Sequence, residues 1–188
     1  MLRGIHKPIS LEGAKCSIES GMVKLAGKHG TSELSCPDFI NCELKDGSIN
    51  IVMKELGELS KTQKALAGTF KANLVSWIKG VQHNHEKTVI FTGTGSSVKV
   101  VQSNNDPKLK GLSMRLGKSH IVEKDIPEGI TCTVVSADIR ETRLQVTGIS
   151  AAMVGQFAAE LCIKNPYKGG IHAWIAGKEI PLRGGKSG

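Results

Sequence analysis

The sequence predicts an α+β protein of two tandem duplicated domains, each a small mainly antiparallel sheet packed against one main helix. Three observations predict it. Shifting the 188-residue chain by 90 places lays Gly27-Lys28 over Gly117-Lys118, Pro37 over Pro127 and Ile40-x-Cys42-x-Leu44 over Ile130-x-Cys132-x-Val134. A shift of 87 lays Gly68-Thr-Phe70-Lys-Ala72-Asn-Leu74 over Gly155-Gln-Phe157-Ala-Ala159-Glu-Leu161. Within each half, apolar residues recur first with period 2, as on a half-buried strand, and then with period 3.6, as on one helix face. The domains are expected at 1–82 and 83–188, joined near Gly80 to Lys87.

In the first half, Met22 to Leu25, Ile40 to Leu44 and Ile49 to Met53 alternate as strands, with Asp46-Gly47 as a hairpin turn between the last two. Ser60-Lys-Thr-Gln63 has capping-box form, in which the Ser hydroxyl and the Gln side chain each satisfy a free backbone N–H. The helix therefore begins there and ends near Gly80. Leu66, Phe70, Leu74, Trp77 and Val81 form its apolar stripe, and Lys61, Lys64, Lys71 and Lys79 lie on nearly the opposite side. That basic stripe reads as a solvated face ahead of a phosphate-binding one.

The second half repeats the order. Val89 to Phe91, Val98 to Val101, Leu112 to Leu116, Ile130 to Val135 and Leu144 to Val146 are strands, with turns at 104–107 and 126–129. Ser150 is the N-cap of a closing helix whose stripe is Val154, Phe157, Ala158 and Leu161, stopped by Asn165-Pro166.

Composition narrows the function. With 39% hydrophobic and 22% charged residues the chain is globular, and 25 Lys plus Arg against 17 Asp plus Glu give +8, which points to a polyanionic partner. The charge is uneven. Residues 29–59 hold six carboxylates (Glu33, Asp38, Glu43, Asp46, Glu55 and Glu58), so only part of the surface suits a polyanion. No run of 18 apolar residues exists, and the opening MLRGIHKPIS lacks the apolar core of a secretory signal, so a soluble, non-secreted protein is expected. Cys16, Cys36, Cys42, Cys132 and Cys162 show no two-residue spacing, which argues against a zinc knuckle and a disulfide framework and suits a reducing compartment. His83 and His85 read as solvated loop histidines. No metal, cofactor, membrane or small-molecule substrate is expected.

Enzymatic motifs fail on spacing. In Gly111-Leu-Ser-Met-Arg-Leu-Gly117-Lys118-Ser119, five residues rather than four separate the glycines, and the run between them reads as a strand, so a P-loop is rejected. Gly93-Thr-Gly95 lacks the third glycine and a following helix, and reads as a strand bend. Ser119 and His120, as neighbours on a strand, would face opposite ways and could not form a nucleophile and base pair.

The C-terminal segment is the most informative. Asn165-Pro166-Tyr167-Lys168-Gly169-Gly170-Ile171-His172, followed by Lys178, Arg183 and Lys186, combines an aromatic ring, cations and glycines that let backbone approach a phosphate chain. Such a loop suits folded RNA. Tyr167, Trp174 and the strand-like Ile171 to Ile175 predict an ordered hairpin rather than a loose tail.

Gly4-x-x-Lys7-Pro8-Ile9, Ala65-Leu66-x-Gly68-Thr69, Gly117-x-Ser119-His120, Ile126-Pro127-x-Gly129-Ile130, Val154-Gly155-Gln156-x-Ala158-Ala159, Pro166-Tyr167-Lys168-Gly169 and the closing Gly185-Lys186 occur in one order along the chain. On these stretches it closely resembles the bacterial-type large-subunit ribosomal protein six family over nearly its full length. The resemblance implies two duplicated α+β domains and a non-catalytic role bound to large-subunit rRNA, near the sarcin-ricin loop and the base of the factor-binding stalk, beside neighbouring large-subunit proteins. Lys118, His120, Lys164, Tyr167, Lys168, Gly169, Gly170, His172, Lys178, Arg183 and Lys186 are the expected rRNA-binding residues. The chain departs from the family where Gly169 runs directly into Gly170-Ile171, where Ser96 and Ser97 replace an aromatic and an Arg, and at Lys118 and Ile121. Those departures and the five cysteines favour a mitochondrial matrix over a bacterial cytoplasm. The alternatives are a protein-binding module using the acidic stretch 29–59 and a small enzyme with a cryptic site.

Overall fold

The computed structural model describes residues 7–11, 13–19, 21–45, 47–53, 60–93, 95–102, 110–116, 120–138, 141–163 and 172–177. The chain divides into two compact units, Met1–His85 with Ile149–Ala151, and Glu86–Gly148 with Ala152–Gly188. In the first unit β1 (Ile9–Ser10), β2 (Lys15–Glu19), β3 (Met22–Gly27), β4 (Gly30–Ser35), β5 (Ile40–Lys45) and β6 (Ser48–Met53) precede α1 (Lys61–Gln82). They form two three-stranded sheets, β1-β6-β5 and β2-β3-β4. In the second unit β7 (His85–Thr92), β8 (Ser97–Gln102), β9 (Lys110–Arg115), β10 (Val122–Asp125), β11 (Ile130–Ala137) and β12 (Glu141–Gly148) precede α2 (Ala151–Ile163) and β13 (His172–Ile175). Its sheets are β8-β9-β10 and β11-β12-β7-β13.

The mixed α and β content, with two helices and small antiparallel sheets, matches the predicted class. The duplication is visible strand by strand. Each unit runs through one strand, a three-stranded meander, a hairpin and a helix, and β1-β6-β5 is repeated as β7-β12-β11. Ile40 opens β5 with its N–H donating to the Pro37 carbonyl at 2.9 Å, and Ile130 opens β11 with its N–H donating to the Pro127 carbonyl at 3.2 Å. The residues related by the 90-place shift thus begin equivalent strands after equivalent turns. Each unit holds two sheets where the sequence reading has one, because β2, β4 and β10 are short and largely polar. Their apolar content is too sparse to mark them, and pairing across β3 and β9 makes them strands.

Helix α1 shows how local chemistry bounds an element. The Ser60 N–H donates to Gln63 Oε1 at 2.9 Å, the reciprocal contact of a capping box, and the helix starts at the next residue. Replacing Gln63 by Ala is expected to cost about 1 kcal/mol, measured as a lower urea midpoint with unchanged slope. At the other end the helix passes Gly80 and stops at Gln82, with the His83 N–H donating to the Lys79 carbonyl at 2.7 Å. The predicted end near Gly80 is corrected by two residues. Gly80 is present for close approach, since a Cβ there would meet the Ile149 carbonyl.

The apolar stripe of α1 is also rotated from its expected place. Ala67, Phe70, Leu74, Ile78 and Val81 are buried, Trp77 is half-buried, and Leu66 is 54% exposed. Steps of three and four residues fit both stripes, and the one containing small Ala67 lets the helix lie closer to its sheet. In α2 the stripe is as predicted: Val154, Phe157, Ala158 and Leu161 are all buried, in a core with Val89, Phe91, Leu112, Met114, Leu144 and Val146. Lys124 covers the edge of this core. Its Nζ pairs with the Glu160 carboxylate and lies 5.1 Å from the Phe157 ring centroid.

The turn between β3 and β4 docks on the end of α1. The His29 N–H donates at 3.1 Å to the Val81 carbonyl, one of the last helix carbonyls that lack an intrahelical partner. Gly27 permits this, because a Cβ there would fall on the Val81 carbonyl oxygen and 2.9 Å from the Val81 Cβ. His83 is exposed, whereas His85 is not the solvated residue expected: it is half-buried, with Nε2 2.9 Å from the Ser76 carbonyl. A carbonyl only accepts, so Nε2 carries the proton.

Candidate nucleic-acid interface

Strand register gathers one rim of the second unit. β13 pairs antiparallel with β7, placing His172 opposite Thr92, the last residue of β7. The chain then turns through Gly93 and Gly95, closed by the Ser96 N–H donating to the Gly93 carbonyl at 3.1 Å, and enters β8. Ser97, the first residue of β8, lies opposite Arg115, the last of β9, and Val122, the first of β10, lies opposite Met114. The 93–96 turn, Arg115, His120 and the His172 backbone therefore share one end of the unit. His120 and Arg115 are exposed there, and each can face a phosphate.

Of the predicted rRNA-binding residues, this rim brings together His120 and the start of β13 at His172. Lys118, Lys164, Tyr167, Lys168, Gly169, Gly170, Lys178, Arg183 and Lys186 lie outside the described residues. What is fixed is their attachment. Ile163 closes α2 and His172 opens β13, so the stretch carrying Tyr167 and Lys168 is tied at one side to a helix and at the other to the rim. Lys178 follows Gly177 at the opposite end of β13, where the Ala176 N–H donates to the Thr88 carbonyl at 2.9 Å. The two cationic stretches thus leave β13 from ends about 10 Å apart. Of the expected ordered hairpin, the strand His172–Ile175 pairs with β7 and forms a fourth strand of that sheet, and the rest of the segment lies outside the described residues.

Other expectations shift in the same region. His120 sits in a bend before β10 rather than on a strand beside Ser119. The P-loop look-alike is strand β9 over Lys110–Arg115, as its alternation implies. Ser96 is 6% exposed and Ser97 half-buried, so the positions where the family carries an aromatic and an Arg offer no cation here. Arg115 is the residue the sequence reading missed. Its signal was present: with Leu112, Met114 and Leu116 inward, Arg115 must point outward at the strand end.

The basic side of α1 is not a uniform stripe. Lys61, Lys64 and Lys79 are exposed, whereas Lys71 Nζ donates to the Lys7 carbonyl at 3.0 Å. Burial, with Lys7 nearby, lowers the Lys71 pKa. That lysine anchors the chain entering β1. Among the described residues no cluster of three or more His, Cys, Asp or Glu could hold a metal, and no helix is long and apolar enough to cross a membrane. The Cys132 thiol is pushed up to about 11 by burial, so it stays protonated at neutral pH.

No protein-family model matches the chain. Among curated proteins it is similar to the large ribosomal subunit protein uL6 of Rhodopseudomonas palustris strain HaA2, 34% identical over 173 residues covering 90% of each chain. It is similar over the same span to uL6 of Afipia carboxidovorans at 33% and of Methylorubrum extorquens strain PA1 at 31%. These relatives are bacterial and lend no support to the mitochondrial expectation. With a third of its residues shared over nine-tenths of both chains, and with a repeated sheet-and-helix plan, this chain belongs to the family of large ribosomal subunit protein uL6.

Proposed function

We propose that the protein is a non-catalytic structural component of a large ribosomal subunit, bound to large-subunit rRNA near the sarcin-ricin loop and the base of the factor-binding stalk, beside neighbouring ribosomal proteins. The similarity to uL6 across 90% of the chain carries this reading. The repeats 1–82 and 83–188 are its two domains, and the second supplies the contact. Lys118, Lys164, Lys168, Lys178, Arg183 and Lys186, joined by Arg115, neutralise phosphates. Tyr167 stacks on a base, Gly169 and Gly170 allow backbone approach, and His120 and His172 hydrogen-bond from the rim. An organellar ribosome draws support only from the departures at Gly170, Ser96, Ser97, Lys118 and Ile121 and from the five cysteines.

The test is the salt dependence of binding to the rRNA fragment containing the sarcin-ricin loop. Substituting Lys164, Lys168, Lys178, Arg183 and Lys186 together by Gln is expected to flatten the slope of log K against log salt by about 4. Substitution is preferable to truncation, because cutting the chain before His172 also removes β13 from its sheet. An affinity indifferent to salt, or unchanged in the five-fold variant, would defeat the proposal.

A further inference from the structure

Cys36 and Cys42 meet in the first unit although their spacing suggests no pairing. The Cys36 N–H donates to the Gly21 carbonyl at 2.7 Å, which holds Cys36 at the end of the β2-β3-β4 sheet, one residue beyond β4. The Pro37 to Phe39 turn, closed by the Ile40 N–H, reverses the chain into β5, where Cys42 pairs opposite Ile51 in the other sheet. The two Sγ atoms are 3.2 Å apart, about 1.2 Å more than a disulfide bond. Both thiols are half-buried against the core of the first unit. Cys16 packs against the same core, and Cys132 and Cys162 belong to the core of the second unit.

We propose that Cys36 and Cys42 form a reversible redox pair, which a small-molecule disulfide closes into a cross-sheet bond and a small thiol reopens. The Cys36 thiolate attacks one sulfur of the small disulfide, expelling one small thiolate and leaving a mixed disulfide on Cys36. Cys42 then gives up its proton and displaces the second small thiolate from Cys36. The protein loses two hydrogen atoms, its two sulfurs are oxidised, and one small disulfide is reduced to two small thiols. Burial, and next the hydrogen bond to Cys36, raise the Cys42 pKa, so Cys42 rests as a thiol at neutral pH. The product joins the two sheets of the first unit. This device is independent of RNA contact.

The experiment incubates the full-length protein with oxidised glutathione, quenches with acid, and counts thiols after unfolding in guanidinium chloride. The five thiols of the sequence are expected to fall to three, with a peptide map joining Cys36 to Cys42. Dithiothreitol restores all five, and the oxidised form melts about 5 °C higher. Cys36→Ser and Cys42→Ser each remove the crosslink, and Cys16→Ser leaves it in place. Because the map is read on the unsubstituted chain, a variant that fails to fold does not blunt the test. Retention of five thiols, a link through Cys16, or a lasting glutathione adduct in place of the crosslink overturns the proposal.

Discussion

Leu74→Ala and Leu161→Ala should each destabilise the protein by about 4 kcal/mol. Both leucines are 0% exposed, both lie in the helix stripe of their unit, and they are related by the 87-place repeat. Truncation removes the transfer free energy of the lost methyl groups and leaves a void that close-packed neighbours fill only in part. A domain of this size is stable by only about 5–15 kcal/mol, so either loss takes a large share. The check is urea unfolding combined with amide hydrogen exchange. Leu74→Ala should release protection first in β1 to β6 and α1, and Leu161→Ala first in β7 to β13 and α2. Equal loosening of both units by either substitution would refute two separate cores.

Gly27→Ala is expected to cost about 3 kcal/mol, although it adds a single methyl group. The new Cβ would meet the Val81 carbonyl oxygen, which is backbone and cannot swing aside. Relief requires the β3–β4 turn to lift from α1, which also breaks the His29 to Val81 hydrogen bond. Gly68→Ala is the control. Gly68 is an exposed helical residue with open space where its Cβ would go, so the same chemical change should stabilise by about 0.8 kcal/mol. Thermal unfolding of the two variants should therefore move in opposite directions.

What could be read from the sequence, and what could not, divides by the range of the interactions involved. The capping box at Ser60 and Gln63, the burial of Phe70 and Phe157, and the turn before Ile130 depend on neighbours a few residues away, and all were legible. Strands β2 and β4 were not, because Lys15-Cys-Ser-Ile-Glu19 and Gly30-Thr-Ser-Glu-Leu-Ser35 become strands only against Val23 and Leu25 of β3. Leu66 misled because helical periodicity fixes the spacing of a stripe but leaves its rotation to the sheet it packs on. At the interface, the C-terminal cations were visible as composition. That β13 would join β7 depends on a pairing between segments some eighty residues apart. Arg115 was legible in part, since alternation along β9 turns it outward. One charge at a strand end carries no motif until the register of β8 and β9 shows which rim it faces.

The place of β7 sets the order in which the two halves can fold on a growing chain. In the first unit β6 lies between β1 and β5, both made before it, so that sheet can close as soon as Met53 has emerged. In the second, β7 lies between β12 and β13, and both are made after it. The strand must wait with both sides unpaired until β12 completes the hairpin and with one side open while α2 is synthesised, and its last partner, β13, comes after that helix. Synthesis from the N-terminus thus gives an early-folding first half and a second half that closes from its own C-terminal end. A chain interrupted before Ile175 would leave one edge of β7 open to pairing with other chains, a route to aggregation that β13 closes in the finished second half.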